Sequence, residues 1–157
     1  TTDRVAAFIA RHALDAEIIS TPEGVPTVET AAAALGVSVE QIVKTLVFVD
    51  SQDTLVIGIA CGTDRVDRRK LADAAGTSKL KMASADQVLD STGYPPGGVA
   101  PLDLPANAVV IVDRHVAAQD EVFGGSGTDL HMVRLHVADI VRLNHARIAD
   151  ILQANES

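Results

Sequence analysis

Apolar residues recur at helical spacing behind Asp3, which predicts a first helix with Val5, Phe8, Ile9 and Leu14 on one face. Ile18 and Ile19 start an extended piece that the prolines and glycine of 21–26 stop. Residues 27–35 read as an Ala-rich helix closed by Gly36 in a left-handed cap. Ser38-Val39-Glu40-Gln41 has the capping-box pattern and opens a short helical turn. The densest β-former run is 45–49, preceded by Lys44; a polar turn at 50–53 and a second run at 54–60 predict an antiparallel hairpin. Asp67 caps a helix over 68–75 that Gly76 ends, and residues 79–82 suggest a short strand. A second capping box at 84–87 opens a helix through Leu89. Strands follow at 108–112, 120–123 and 130–135, the last taken as final, with helical segments at 139–143 and 145–152. Hairpins interspersed with helices, rather than strict strand–helix alternation, favour an α+β fold with a mixed sheet. Neither repeat nor linker breaks the chain, so residues 1–157 are expected to form a single domain.

Two glycine-rich stretches interrupt this pattern. Residues 91–101 hold three glycines and three prolines, which predicts a shaped loop stiffened by Pro95, Pro96 and Pro101 around Gly97-Gly98. Gly124-Gly125-Ser126-Gly127 is the second. Loops of this kind serve either as tight connections or as places where peptide N–H groups face a substrate.

Composition narrows the function. Apolar residues make up 47% of the chain but aromatics only 3%, so the core must be aliphatic and a base-stacking platform is disfavoured. The formal net charge of −8 disfavours nonspecific binding to duplex DNA, while leaving room for a local basic patch. Cys61 is the one cysteine, so no internal disulfide can form, and a small buried side chain at a strand end is its simplest role. No apolar run approaches the ~20 residues of a transmembrane helix. With no signal peptide in view, no membrane association and a cytoplasmic location are expected.

Several chemistries lack their signatures. The 124–127 glycines precede a strand-like segment rather than a helix, unlike a dinucleotide-binding loop, and no phosphate-binding Gly-Lys-Ser/Thr loop occurs. His12, His115, His131, His136 and His145 form no zinc pattern, and no metal or cofactor is expected. Ser126 lacks the Gly-x-Ser-x-Gly context of a nucleophile. Lys44, at the start of a core strand, is either a snorkelling surface residue or an ammonium at a pocket mouth. Arg65, Arg68, Arg69, Lys70, Lys79 and Lys81 gather positive charge, as a solvated face or as a phosphate-binding rim.

The order of motifs carries more than any one of them. Gln41-Ile42-Val43-Lys44-Thr45-Leu46-Val47-Phe48, Asp67-Arg68-Arg69-Lys70-Leu71, Ser91-Thr92-Gly93-Tyr94 with Gly97-Gly98-Val99-Ala100-Pro101, and Val122-Phe123-Gly124-Gly125 together resemble the YbaK family. These are aminoacyl-tRNA deacylases related to the editing insertion of bacterial prolyl-tRNA synthetase. The resemblance spans about 27–143 and implies a compact α+β domain with a mixed, partly barrel-like sheet surrounded by helices. It implies hydrolysis, in trans, of the ester joining a wrong amino acid to tRNA. The family's essential lysine falls on Lys44, its substrate loop on Gly97, Gly98 and Pro101, and its second glycine loop on Gly124 and Gly125. By the same resemblance Lys44, Gly97 and Gly98 are the catalytic candidates, while Thr45, Tyr94, Val99, Pro101, Gly124, Gly125 and Ser126 are expected to bind substrate. Residues 126–129 depart from the basic stretch of some members. The implied partners are the tRNA acceptor end and prolyl-tRNA synthetase. Cysteine on the proline-specific tRNA is the first substrate expectation, alanine the second, and a non-catalytic module binding aminoacyl-tRNA or a synthetase is the alternative.

Overall fold

Two β-sheets organise the chain in the computed structural model, which describes residues 2–21, 24, 27–128 and 130–154. Most of the 22–26 breaker, and Asp129, lie outside the described residues. The elements run α1 (Thr2–Arg11), β1 (Glu17–Ser20), α2 (Val28–Leu35), a 3₁₀ turn (Val39–Gln41), β2 (Val43–Val49), β3 (Leu55–Cys61), α3 (Arg68–Ala75) and β4 (Lys81–Met82). There follow α4 (Ala85–Thr92), β5 (Val109–Asp113), α5 (Arg114–Ala117), β6 (Glu121–Gly125), β7 (His131–His136), α6 (Val137–Leu143) and β8 (Arg147–Ala149).

The larger sheet has the order β4-β2-β3-β5-β8, with β2 antiparallel to β3 and β4, and β5 parallel to β3 and β8. The smaller one, β1-β7-β6, is antiparallel throughout. Among the described residues a single parallel bridge, between Ile42 and Phe123, joins them, and Gln41 Nε2 donates to the Glu121 carbonyl beside it at 3.3 Å. The mixed sheet and the antiparallel one are thus stitched at one corner and the barrel stays open.

Every residue of β3 is buried because both faces are covered, which is why its sequence shows no alternation. Leu55, Ile57, Ile59 and Cys61 join the main aliphatic core between the sheets. Val56 faces the other way, with Phe48, Leu71, Ala72, Ile111 and Ile151. Helix α3 comes close enough there that a Cβ on Gly58 would touch Leu71 at 3.4 Å. A third cluster, Ala31, Ala32, Ile42, Phe123 and Met132, seats α2 on the seam between the sheets.

Local signals explain the helix ends. Thr27 Oγ1 accepts the Thr30 amide, Asp67 takes the amides of Arg69 and Lys70, and Ser84 accepts from Gln87; Gly36, Gly76 and Gly93 close their helices at positive φ. Asp3 proves to lie inside the first turn of α1 rather than before it.

Four expectations need correction. Lys44 is the second residue of β2, not a residue ahead of it. Helix α4 runs on to Thr92, whose hydroxyl returns to the Val88 carbonyl, so the loop begins at Gly93. Gly124 and Gly125 are ladder residues of β6. Residues 145–152 are not helical: His145 sits at φ +48, which breaks the turn after α6, and Arg147–Ala149 pairs with β5 instead. The buried Asp113 carboxylate fixes that segment by accepting the Ile151 amide at 3.1 Å. It also accepts the His115 amide, starting the short α5 that the pattern did not reveal. Among the described residues no helix is long and apolar enough to cross a membrane.

Candidate functional site

A cavity of about 590 Å³ opens at the seam of the two sheets. Strand β2 supplies Val43, Lys44, Thr45 and Leu46, and α2 supplies Thr27, Val28 and Ala31. Gly97 and Val99 come from the loop after α4, and Gly125, Thr128, His131 and Met132 from β6, β7 and their connection. Lys44 and the two glycine-rich stretches therefore meet on one hollow, though chain distances between them run to about eighty residues.

Lys44 is held as well as placed. Its Nζ donates to the Asp64 carbonyl in the loop after β3. Burial pushes its ammonium below the ordinary lysine range, the nearby Asp64 charge opposes this, and Arg65 reinforces it. One N–H is spent on Asp64, so a protonated Lys44 keeps two donors for an oxyanion. Cys61, next to this loop, donates its thiol to the Glu40 carbonyl at 3.2 Å, and burial drives its pKa up to about 11. It is a structural side chain.

The glycines are there chiefly for one another. The Gly98 amide donates to the Pro95 carbonyl at 2.9 Å, and the Gly98 carbonyl accepts from Gly127 at 3.0 Å. A Cβ on Gly98 would stand 3.3 Å from the Gly127 carbonyl carbon, and one on Gly125 would stand 3.2 Å from the Val99 oxygen. Bare backbone on both sides lets the 97–101 loop lie directly on the end of β6. Gly98 thus has no free amide to offer a substrate, contrary to the expectation. Among the described residues the amides of Gly97 and Val99, both at the cavity, donate to no other group.

Four further expectations shift. Tyr94 is fully buried and does not line the cavity; its hydroxyl donates to the Leu102 carbonyl at 2.7 Å. Arg4 lies over its ring at 4.0 Å and ties the same turn to α1 through Asp103 and the Thr92 carbonyl. Pro101 and Gly124 pack on each other beneath the site: a Cβ at 124 would come within 3.1 Å of Pro101 Cδ. Asn144 Nδ2 anchors the Pro101 carbonyl at 2.9 Å. Ser126 is fully buried behind the lining, its Oγ unpaired among the described residues. These residues shape the cavity without facing it.

His131 faces it without having been foreseen as a lining residue. Its Nδ1 lies 2.9 Å from Thr128 Oγ1, which fixes the ring against the connection from β6. Only the topology places it there. Among the described residues no group of three His, Cys, Asp or Glu side chains is arranged to hold a metal.

The chain is similar to proteins of a known family. Residues 22–143 match the aminoacyl-tRNA editing domain family. The uncharacterized YwhH of Bacillus subtilis (strain 168) is 30% identical over 122 residues, covering 78% of this chain and 77% of that protein. The proline–tRNA ligase of Geobacter sp. (strain M21) is 34% identical over 122 residues, 77% of this chain, which spans only 21% of that ligase. Among solved structures, the hypothetical protein APE2540 superposes with a TM-score of 0.86 at 32% identity, covering 96% of this chain and 99% of that one. A protein assigned provisionally as a trans-editing enzyme for prolyl-tRNA synthetase gives 0.86 at 27% identity, covering 98% and 97%. The seam cavity, its lysine and its paired glycine loops thus sit in a chain that belongs to the aminoacyl-tRNA editing domain family.

Proposed function

We propose that this chain, acting as one domain over residues 1–157, hydrolyses the ester of mischarged tRNA in trans to the synthetase that made it. The observation that supports this best is the convergence of the Lys44 amine with Gly97, Val99 and Gly125 on one cavity. An aminoacyl ester is already activated, so orientation and charge stabilisation can drive its cleavage without a strong nucleophile. Lys44 holds the terminal phosphate or ribose of the acceptor end. The free amides of Gly97 and Val99, rather than that of Gly98, face the oxyanion as water or a substrate group attacks. A donor so placed contributes about 3 kcal/mol in the transition state. The scheme uses no metal or cofactor, and it locates the protein where charged tRNA is found, in the cytoplasm.

Thr45, Val28 and Met132 line the hollow. Cysteine on the proline-specific tRNA is the first candidate and alanine the second. Discrimination between them is limited, since one methylene in an apolar pocket is worth about 1–3 kcal/mol. The test is a panel of mischarged tRNAs. Cleavage above the buffer rate for at least one ester, abolished by Lys44→Ala with the fold retained, is expected. Cleavage of none, or equal rates for variant and parent, would refute the proposal.

A further inference from the structure

Lys44 belongs to two hollows. Beyond the seam cavity it also lines a cleft of about 610 Å³ on the outer side of β2, together with Leu46, Phe48, Arg65, Arg68, Arg69 and Met82. Alternation along β2 explains this: Lys44, Leu46 and Phe48 share one face, Val43, Thr45 and Val47 the other. The lysine stands on the ridge between them.

Unlike Lys44 and the neighbouring Lys70, three of the cleft's cations make no side-chain contact that holds the fold, among the described residues. Lys70 Nζ reaches Asp150 at 3.2 Å and the Leu152 carbonyl at 2.8 Å, holding the chain that follows β8. Arg65, Arg68 and Arg69 are exposed and, among the described residues, take part in no ion pair. Arg68 and Arg69 moreover sit in the first turn of α3, where acidic side chains are favoured and basic ones oppose the helix dipole. Asp67 already takes the amides at that helix end, so the guanidinium groups, not the helix end, are what the cleft presents. In a chain of net charge −8, three unpaired arginines on one rim are a local reversal of sign. The floor is apolar: Leu46, Val66 and Met82, the last 51% exposed. Cations gathered on the rim of an open cleft suit a strand of nucleotides held by its phosphates.

We infer that RNA leaving the seam cavity crosses the Lys44 ridge and lies in this cleft, its phosphates held by Arg65, Arg68 and Arg69. The inference rests on the editing reading, which puts the 3′ end of tRNA in the cavity. It adds the direction the rest of the acceptor end takes and the residues that hold it.

The test measures binding of uncharged tRNA to the full chain at 50 and 200 mM salt, for the parent and for Arg65→Gln/Arg68→Gln/Arg69→Gln. Three single-strand phosphate contacts carry a salt slope of about 2, so the parent should lose roughly 20-fold more affinity than the variant across that range. A control triple, Arg11→Gln/Arg142→Gln/Arg147→Gln, removes equal charge elsewhere and should keep the parent slope. Equal slopes for parent and cleft variant, an equal effect of the control, or no tRNA binding by the parent would overturn the inference. A parallel assay with an aminoacyl-adenosine, which fills the cavity alone, separates the two readings. The double variant Arg68→Gln/Arg69→Gln, which leaves Arg65 beside Lys44 in place, should cleave it at the parent rate, and a matching loss there would place these arginines in the cavity's chemistry instead. If the parent cleaves no ester at all, the editing reading fails while the binding result still decides the cleft.

Discussion

Tyr94→Phe is the sharpest test of the claim that this loop residue shapes the site from behind. The phenol is fully buried and its hydroxyl donates to the carbonyl of Leu102, itself fully buried, at 2.7 Å. Burial pushes its pKa up to about 12, so at any working pH it is a neutral donor and nothing more. Phenylalanine keeps the ring and the Arg4 contact at 4.0 Å, creates almost no void, and leaves one buried carbonyl without its partner. A buried acceptor left unsatisfied costs about 1–3 kcal/mol. For a domain of this size that corresponds to roughly 2–4 °C in Tm for each kcal/mol. Urea unfolding should show the midpoint falling with the slope m unchanged. The kcat/KM for a cleaved aminoacyl-tRNA should stay within about twofold of the parent, because no lining group is altered. The opposite pairing, unchanged stability with a tenfold loss of kcat/KM, would return Tyr94 to the substrate and refute the placement.

Three other consequences can be measured with the same preparations. Gly124→Ala would set a methyl 3.1 Å from Pro101 Cδ and 3.4 Å from Val43 Cγ2, an overpacking that should cost about 1–3 kcal/mol in urea unfolding; an unchanged midpoint would show that the loop yields freely. Since burial lowers the Lys44 pKa, a mechanism that needs the ammonium should lose its enzyme-dependent rate at a lower pH than an ordinary lysine would dictate. A rate that holds up through the ordinary lysine range, after subtraction of uncatalysed hydrolysis, would argue against that role. His136 donates toward Asp15 at 2.7 Å and also faces Asp120 at 3.4 Å, and the Asp15 hydrogen bond raises its pKa. The group's stability contribution is therefore complete below the unfolded histidine value of about 6.5 and is lost as pH rises through the higher folded value. Tm should fall from pH 6 to pH 8.5 more steeply in the parent than in Asp15→Asn, and parallel curves would remove the pair from the account.

What the residues disclosed, and what they hid, follows from the range of the interactions involved. Asp67, Ser84, Gly36 and Gly76 announced their helix ends because a cap is settled within four residues of chain. The β2–β3 hairpin was legible for the same reason. Residues 145–152 misled because an apolar, Arg- and Asp-bearing segment has no intrinsic reason to be extended; the ladder with β5 and the Asp113 carboxylate make it so. In the site, the motif order pointed to Lys44 and the glycines, of which Lys44, Gly97 and Gly125 line the cavity while Gly98 and Gly124 do not. A glycine needed for backbone contact and one needed to approach a ligand look alike in sequence, and only the hydrogen bond from Gly98 to Pro95 separates Gly98 from Gly97. His131 carried no local signal, since its place in the lining comes from β7 pairing between β1 and β6.

The seam itself explains why catalysis would sit here. A closed barrel would fill the space between β2 and β6 with ladder hydrogen bonds and side chains. Here, among the described residues, the two sheets share one bridge, Ile42 to Phe123. The gap left on the β2 side exposes Lys44 at the point where its strand leaves the shared core. The 97–101 loop then caps the end of β6 through contacts that only glycine permits on both sides. The outer face of β2 is accessible beside α3, so one lysine can serve a reaction hollow and an RNA path at once. An overall negative charge does not oppose this, because charges separated by more than the ~8 Å screening length at physiological salt contribute little, and the cations that matter are those on the cleft rim. Binding should accordingly track local substitutions on that rim and ignore the net charge of the chain, which is what the control triple of distant arginines measures.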